Sequence, residues 1–284
     1  MSELVRRTLF AVVAAPLTIA VIYIGDAPLA TLLSVVAAIG AWEFCRMARA
    51  AGSEPFDGAA IVLAAAAPLA VHGIHNYRLA ITPTHIAVVI LAVFAATIVW
   101  RGTERRPLMA AATTLFGVAY VSMIAYVYAI RYHDYVVDAR GGTALVMLPV
   151  VLTWGTDIGA YAFGRLMGRR KLMPSVSPGK TVAGAIGGML SAIVICTVYV
   201  FGVLRPAAQL ALTVTGIIVF AVVVSVVGQI GDLAESLVKR EAKVKDSSSL
   251  LPGHGGILDR IDSLLFVLPV AVLLLNALLI PALV

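Results

Sequence analysis

The sequence predicts an all-α polytopic membrane protein with about nine transmembrane helices, and three observations carry that expectation. Hydrophobic residues make up 61% of the chain and charged residues only 13%, about half the ~25% charged content of soluble domains. Mean hydropathy is +1.00. The apolar residues form continuous runs of about 20, the length a helix needs to cross the hydrocarbon core, rather than the short alternating segments of a barrel. The same figures exclude a disordered chain, which requires low hydrophobicity. Only two cysteines are present, Cys45 and Cys196, both inside apolar runs; they read as small buried hydrophobes rather than a disulfide framework.

The apolar runs place spans near residues 8–24, 28–48, 58–75, 82–100, 108–130, 143–166, 181–204, 207–230 and 262–283. The first follows Arg6 and Arg7 and resembles a secretory signal, but no small-x-small cleavage site follows it, so a retained anchor is expected. Cytoplasmic loops are enriched in Lys and Arg. With nine spans, 17 of the 21 basic residues fall on one side and four, Arg78, Arg131, Arg140 and Arg205, on the other. This asymmetry predicts a multi-pass protein of the cell (plasma or inner) membrane whose N-terminus and loops 165–181 and 231–261 are cytoplasmic. The net charge of +6 then reflects topology, with attraction to anionic membrane lipids as a secondary reading and no nucleic-acid binding. No internal repeat is visible. Residues 1–135 read as a scaffold of about five helices, and 136–284 as a catalytic region of about four.

The scarce charges gather in two polar islands. In the first, Asp232, Glu235, Ser236 and Lys239 share one helical face if the eighth helix continues past Ile230, and Asp259, Asp262 and Ser263 share a face at the start of the ninth. Carboxylates without cysteine and with a single histidine suit hard cations such as Mg²⁺, which takes one or two carboxylates and completes its shell with water and phosphate oxygens. Lys239, Arg240, Lys245 and Arg260 provide cations for phosphate charge. The glycines of Gly253-His254-Gly255-Gly256 let backbone amides approach an anion closely. This is an inventory for phosphoryl or nucleotidyl transfer by positioning and charge stabilisation. The plainer reading, a solvated charge run, is weakened by the position of the acids at the membrane boundary, where ionisable groups are costly.

The second island places Asp157 inside the sixth span, then runs through Gly164-Arg165 and Arg169-Arg170-Lys171 to Ser177-Pro178-Gly179-Lys180-Thr181. Gly179-Lys180-Thr181 is not a P-loop, because Pro174 stands where that motif needs glycine. Lys180 and Thr181 at a helix N-terminus, with Ser177 as the cap, make an anion-binding corner. Glu43, three residues before Arg46, reads as half of an intrahelical pair or as a packing residue. The histidines at 72, 75, 85 and 133 carry no usable ligand spacing.

From Ser236 to Asp262 the chain reads SLVKREAKVKDSSSLLPGHGGILDRID, and this resembles the signature of the phosphatidate cytidylyltransferases, or CDP-diacylglycerol synthases. Asp157, Tyr161, Gly164-Arg165, Ser177-Pro178 and Lys180-Thr181 are similar to that family's other block, so the resemblance covers roughly the C-terminal half. Family members often carry Trp-Glu-Gly after the Lys-Thr, where Val182-Ala183-Gly184 stands here. The resemblance implies transfer of the cytidylyl group of CTP to phosphatidate, giving CDP-diacylglycerol and pyrophosphate. It further implies a Mg²⁺ with a neighbouring K⁺ at Asp232 and Asp259, and a homodimer. Lys239, Arg240, Lys245 and Arg260 would hold phosphates, with Asp246, Asp262 and Asp157 in support. His254, Gly255 and Gly256 would line the nucleotide pocket, and Ser177, Lys180, Thr181 and Ser236 would contact substrate. A lipid substrate predicts a polar, cytoplasm-facing cavity between the sixth to ninth helices, with the first five as scaffold. The alternative from another class is a polytopic transporter of an anionic solute. A CDP-alcohol phosphotransferase is disfavoured, since its paired Asp-rich repeats are missing.

Overall fold

The computed structural model describes residues 3–251, 253 and 255–282, with side chains from Val12 onward. Helices dominate, and among the described residues eight are long and apolar enough to cross a membrane: Asp26–Ala50, Asp57–Tyr77, Pro83–Trp100, Pro107–Arg131, Ala139–Met167, Val182–Ala208, Val214–Glu241 and Leu258–Leu278. The expected first span lies within a helix over Glu3–Ile24, whose part with described side chains, Val12–Ile24, is a shorter apolar helix. Many large hydrophobic side chains face outward, among them Ile86, Leu91, Phe94 and Ile98. A water-soluble chain rarely exposes such a surface, whereas lipid accepts it.

The chain divides into two compact units that interleave in sequence. The first is Met1–Tyr128 with Val238–Ile261, and the second is Ala129–Leu237 with Asp262–Val284. In the first unit, α1 (Glu3–Ile24), α2 (Asp26–Ala50), α3 (Asp57–Tyr77), α4 (Pro83–Trp100) and α5 (Pro107–Ser122) follow one another. Asp26 and Arg49 sit at the ends of α2 where the helix dipole favours them, and α4 and α5 both open with proline, which needs no hydrogen-bonded N–H at that position. Buried His72 has a local partner, its Nδ1 lying 2.8 Å from the Tyr128 hydroxyl.

In the second unit, α6 (Tyr126–Arg131) precedes α7 (Ala139–Met167), which is capped by the Asp138 carboxylate accepting the Gly141 N–H at 2.7 Å. A hairpin not expected from the sequence follows. Strand β1 (Lys171–Met173) pairs antiparallel with β2 (Ser177–Thr181) in the register Lys171 to Thr181 and Met173 to Ser177. The Thr181 hydroxyl accepts the Gly184 N–H at 3.0 Å and so caps α8 (Val182–Tyr199). The expected cap, Ser177, lies four residues too early because the strand, not the helix, occupies 177–181. A π-helical turn (Val200–Leu204) and α9 (Arg205–Ala208) extend this span. Beyond it, β3 (Leu210–Leu212) pairs with β4 (Leu279–Pro281), bracketing the ends of α10 (Val214–Glu241) and α11 (Leu258–Leu278). The strands occupy stretches that the spans at 207–230 and 262–283 assign to helix, so both helices are shifted: α10 begins seven residues later and α11 four residues earlier than expected.

Helices α7 and α8 pack through small residues, as expected where lipid supplies no hydrophobic drive between helices. A Cβ on Gly184 would lie 2.7 Å from the Ala160 carbonyl, and one on Gly188 would lie 2.8 Å from the Thr156 carbonyl. These obstacles are backbone and cannot swing away. Gly188→Val should therefore lower the detergent-solubilised Tm by several degrees, corresponding to the ~1–3 kcal/mol cost of overpacking. Gly58→Ala, where nothing lies within 4 Å, should leave Tm unchanged, and equal Tm for both variants would refute this account of the α7 and α8 contact.

Candidate nucleotidyl-transfer site

Helix α10 is continuous to Glu241, so the helical spacing of Asp232, Glu235, Ser236 and Lys239 expected from the sequence is realised, with Glu235 buried and the other three partly open. In the second unit, the hairpin presents Lys180 to this helix: its Nζ lies 2.6 Å from Asp232 Oδ2, and the Ser236 hydroxyl donates to Asp232 Oδ1 at 3.3 Å. Both charged side chains stay partly open, at 25% and 33% exposure. Thr181, the next residue, is buried as the cap of α8, and Ser177 is half-buried in β2. Asp157 lies on the exposed side of α7, as does Arg165, which donates to the Tyr161 hydroxyl at 3.0 Å. Asp262 Oδ1 accepts the N–H of Ser263 at 2.6 Å in the first turns of α11.

In the first unit, the end of α10 and the start of α11 enclose a second lysine–aspartate pair. Lys239 Nζ lies 2.8 Å from Asp259 Oδ1, and the Asp259 side chain is only 3% exposed. Its other oxygen, Oδ2, accepts the Ser247 N–H at 2.9 Å, the Ser247 hydroxyl at 2.9 Å and the Gly256 N–H at 2.7 Å. Every neighbour is a donor, so the acceptor-only ionised carboxylate is the form that satisfies them. The glycines therefore do what their type suggested, bringing a backbone amide to an anion, but the anion is the protein's own Asp259. Gly255 holds φ at +77°, a left-handed conformation that glycine adopts without strain. Arg240, Lys245, Asp246 and Arg260 are exposed, while His254 lies outside the described residues.

Sequence reasoning missed the group beneath this loop. Glu43 of α2 is fully buried and does not pair with Arg46, which instead lies over the Trp42 ring at 6.0 Å. The correction has a geometric reason: Arg46 turns outward while Glu43 faces the packed side of α2. Glu43 Oε1 accepts the Ser248 hydroxyl at 2.6 Å and the Ile257 N–H at 3.0 Å; Oε2 accepts the Ser247 hydroxyl at 3.0 Å and the Leu258 N–H at 2.7 Å. The only available signal was an acid inside an apolar run, together with the serine triplet 247–249, whose partner lies some 200 positions away.

The donor set suits a hard cation in kind. Asp232 offers a partly open carboxylate, and Asp259 offers one oxygen, Oδ1, that faces an ammonium rather than fixed backbone donors. Among the described residues no three His, Cys, Asp or Glu side chains form a metal-binding group, so Mg²⁺ held by either carboxylate would draw on water and phosphate oxygens for its remaining positions. A cavity of about 650 Å³ lies elsewhere in the first unit, lined by residues including Arg49, Asp57, Trp100 and Arg101; none of the motif residues borders it.

The two lysine pairs differ in burial, and their removal should differ accordingly. Lys239→Met strands Asp259 in the interior and should cost ~3–5 kcal/mol, the usual penalty for breaking a buried pair from one side. Lys180→Met leaves Asp232 in contact with solvent and should cost far less. Thermal unfolding in detergent checks this, and equal losses would contradict it.

Comparison with known proteins identifies the family to which the chain belongs. The chain is 43% identical over 178 residues to the phosphatidate cytidylyltransferase of Staphylococcus haemolyticus, covering 62% of each chain. It is 41% identical over 156 residues to that of Bacillus subtilis, covering 54% of this chain and 56% of the relative. The Haemophilus influenzae protein of the same name is 42% identical over 149 residues, covering 52% and 51%. The alignments thus span between half and two thirds of the curated relatives' length. The model of the cytidylyltransferase family matches residues 5–278, and over that length the chain belongs to the cytidylyltransferase family.

Proposed function

We propose that this protein transfers the cytidylyl group of CTP to phosphatidate, forming CDP-diacylglycerol and pyrophosphate for phospholipid biosynthesis. The observation that carries the reading is the segment from Ser236 to Asp262, whose two ends meet in the Lys239–Asp259 pair within a chain that belongs to the family. In the reaction a phosphate oxygen of phosphatidate forms a bond to the α-phosphorus of CTP, and the bond to the bridging oxygen breaks, releasing pyrophosphate.

The residues present divide that work by charge. Asp232 and Asp259 would hold Mg²⁺, which when bound supplies electrostatic stabilisation of the transferring phosphoryl group. A neighbouring K⁺ rests on the resemblance alone. Lys180 and Lys239 compensate the two carboxylates and lie where an arriving phosphate would find an ammonium. Arg240, Lys245 and Arg260 are exposed cations that would bind the remaining phosphate oxygens, with Asp157, Asp246 and Asp262 orienting them. Ser177, Thr181 and Ser236 would line the substrate's approach, and His254 with Gly255 and Gly256 the nucleotide side. The region 136–284 would carry the chemistry, with a cavity between its helices opening sideways so that a lipid can enter from the bilayer while CTP arrives from water. The proposed setting is the cell membrane, with N-terminus and site cytoplasmic, and the proposed assembly is a homodimer.

Purified protein given radiolabelled CTP, phosphatidate and Mg²⁺ should form a chloroform-soluble nucleotide lipid. Asp232→Asn and Asp259→Asn should each reduce kcat per folded molecule by about a hundredfold or more, the scale of losing a preorganised electrostatic contact in such a site. Near-normal turnover in either would remove the metal assignment. Orientation has its own test. Cys45 and Cys196 are buried, so a cysteine at the exposed Ser249 should be the site of labelling by an impermeant maleimide. Reaction in inverted vesicles but not intact cells is the expected result, and the opposite pattern would reverse the topology.

A further inference from the structure

We propose that Glu43 is a positioning residue for the nucleotidyl-transfer site, acting through Ser247 on Asp259; this rests on the cytidylyltransferase reading above. The helix that carries it, α2, belongs to the segment that the sequence marks only as scaffold. Yet its one buried acid meets no cationic partner among the described residues and spends all its hydrogen bonds on a single loop, residues 247–258. A carboxylate is costly to bury, and an apolar side chain would fill the same space without that cost. What the acid secures is conformation: two of its four donors are the backbone amides of Ile257 and Leu258 at the start of α11, where a negative charge also complements the helix dipole.

The connection to Asp259 is direct. The Ser247 hydroxyl lies 3.0 Å from Glu43 Oε2 and 2.9 Å from Asp259 Oδ2. A hydroxyl carries one proton, so it donates to one of the two carboxylates at a time, and the two acids are linked through a single atom. Gly256 makes the approach possible, since a Cβ there would overlap both Ser247 and Glu43, and its own N–H holds Asp259. Displacing the Glu43 carboxylate therefore displaces Ser247, Ile257 and Leu258 together, and with them three of the four donors that orient Asp259.

Glu43→Gln tests this while preserving shape. Its amide nitrogen cannot accept, so whichever way the amide turns, either the Ile257 or the Leu258 N–H loses its partner. Glu43→Gln should lower kcat per folded molecule about tenfold, the equivalent of one hydrogen bond's misplacement, while KM for CTP stays near wild type. Glu43→Asp, which keeps both acceptor oxygens, should recover part of the loss. Ser247→Ala should lower kcat similarly, and the double variant should be no slower than the worse single one, because both act on the same link. Trypsin should cut native Glu43→Gln after Lys243 and Lys245 faster than wild type. Wild-type kcat per folded molecule in Glu43→Gln, or losses that multiply in the double variant with unchanged trypsin cleavage, would overturn the proposal. Failure of the wild-type protein itself to form product would instead sink the cytidylyltransferase reading, and the trypsin comparison would still report whether Glu43 holds the loop.

Discussion

A buried carboxylate must be matched by donors, and at Glu43 that requirement organises the motif's loop. Its two oxygens take two serine hydroxyls and two backbone amides from a segment more than 200 residues away. Because each bond is specific in direction, the loop has little choice of path. The same segment then supplies the donors that fix Asp259, so one unpaired acid in an apolar helix propagates into the geometry of the motif. Long-range satisfaction of this kind is why residues 238–261 group with the first 128 rather than with their neighbours in sequence.

The second unit reaches a comparable result by different means. Glycines bring α7 and α8 into backbone contact, and the hairpin between them turns Lys180 toward Asp232. The hairpin is tied by its own ladder and by the Thr181 cap. The two lysine–aspartate pairs consequently differ in character: one is held in the interior by fixed donors, and the other is partly open to solvent.

The chain belongs to the cytidylyltransferase family, and the proposed reaction would draw on charge of the kind these pairs carry. Nucleotidyl transfer demands little covalent chemistry from the protein and much placement of charge. A membrane protein has few charges to place, and this one concentrates seven of its 15 acidic residues in the two islands. All of them but Asp157 lie near the ends of spans or in the loop between α10 and α11, which limits the cost of ionisable groups in hydrocarbon.

The architecture was legible in the sequence because a transmembrane helix is specified by about 20 consecutive residues, which a local reading sees whole. The helical face of Asp232, Ser236 and Lys239 was legible for the same reason, as was the motif from Ser236 to Asp262. Elements shorter than the reading length were not: β3 occupies the expected start of α10, β4 the expected end of α11, and β2 replaces Ser177 by Thr181 as the cap of α8. Partnership was the other blind spot. Sequence spacing offered Arg46 to Glu43, three residues away on one helix, but hydrogen bonds form between groups that packing brings together, and packing brought Ser247, Ser248, Ile257 and Leu258. The sequence by itself determined the spans, the scarcity of charge and the chemistry of the islands; only the tertiary structure decided which donors each carboxylate receives, because that depends on contacts between residues far apart in the chain.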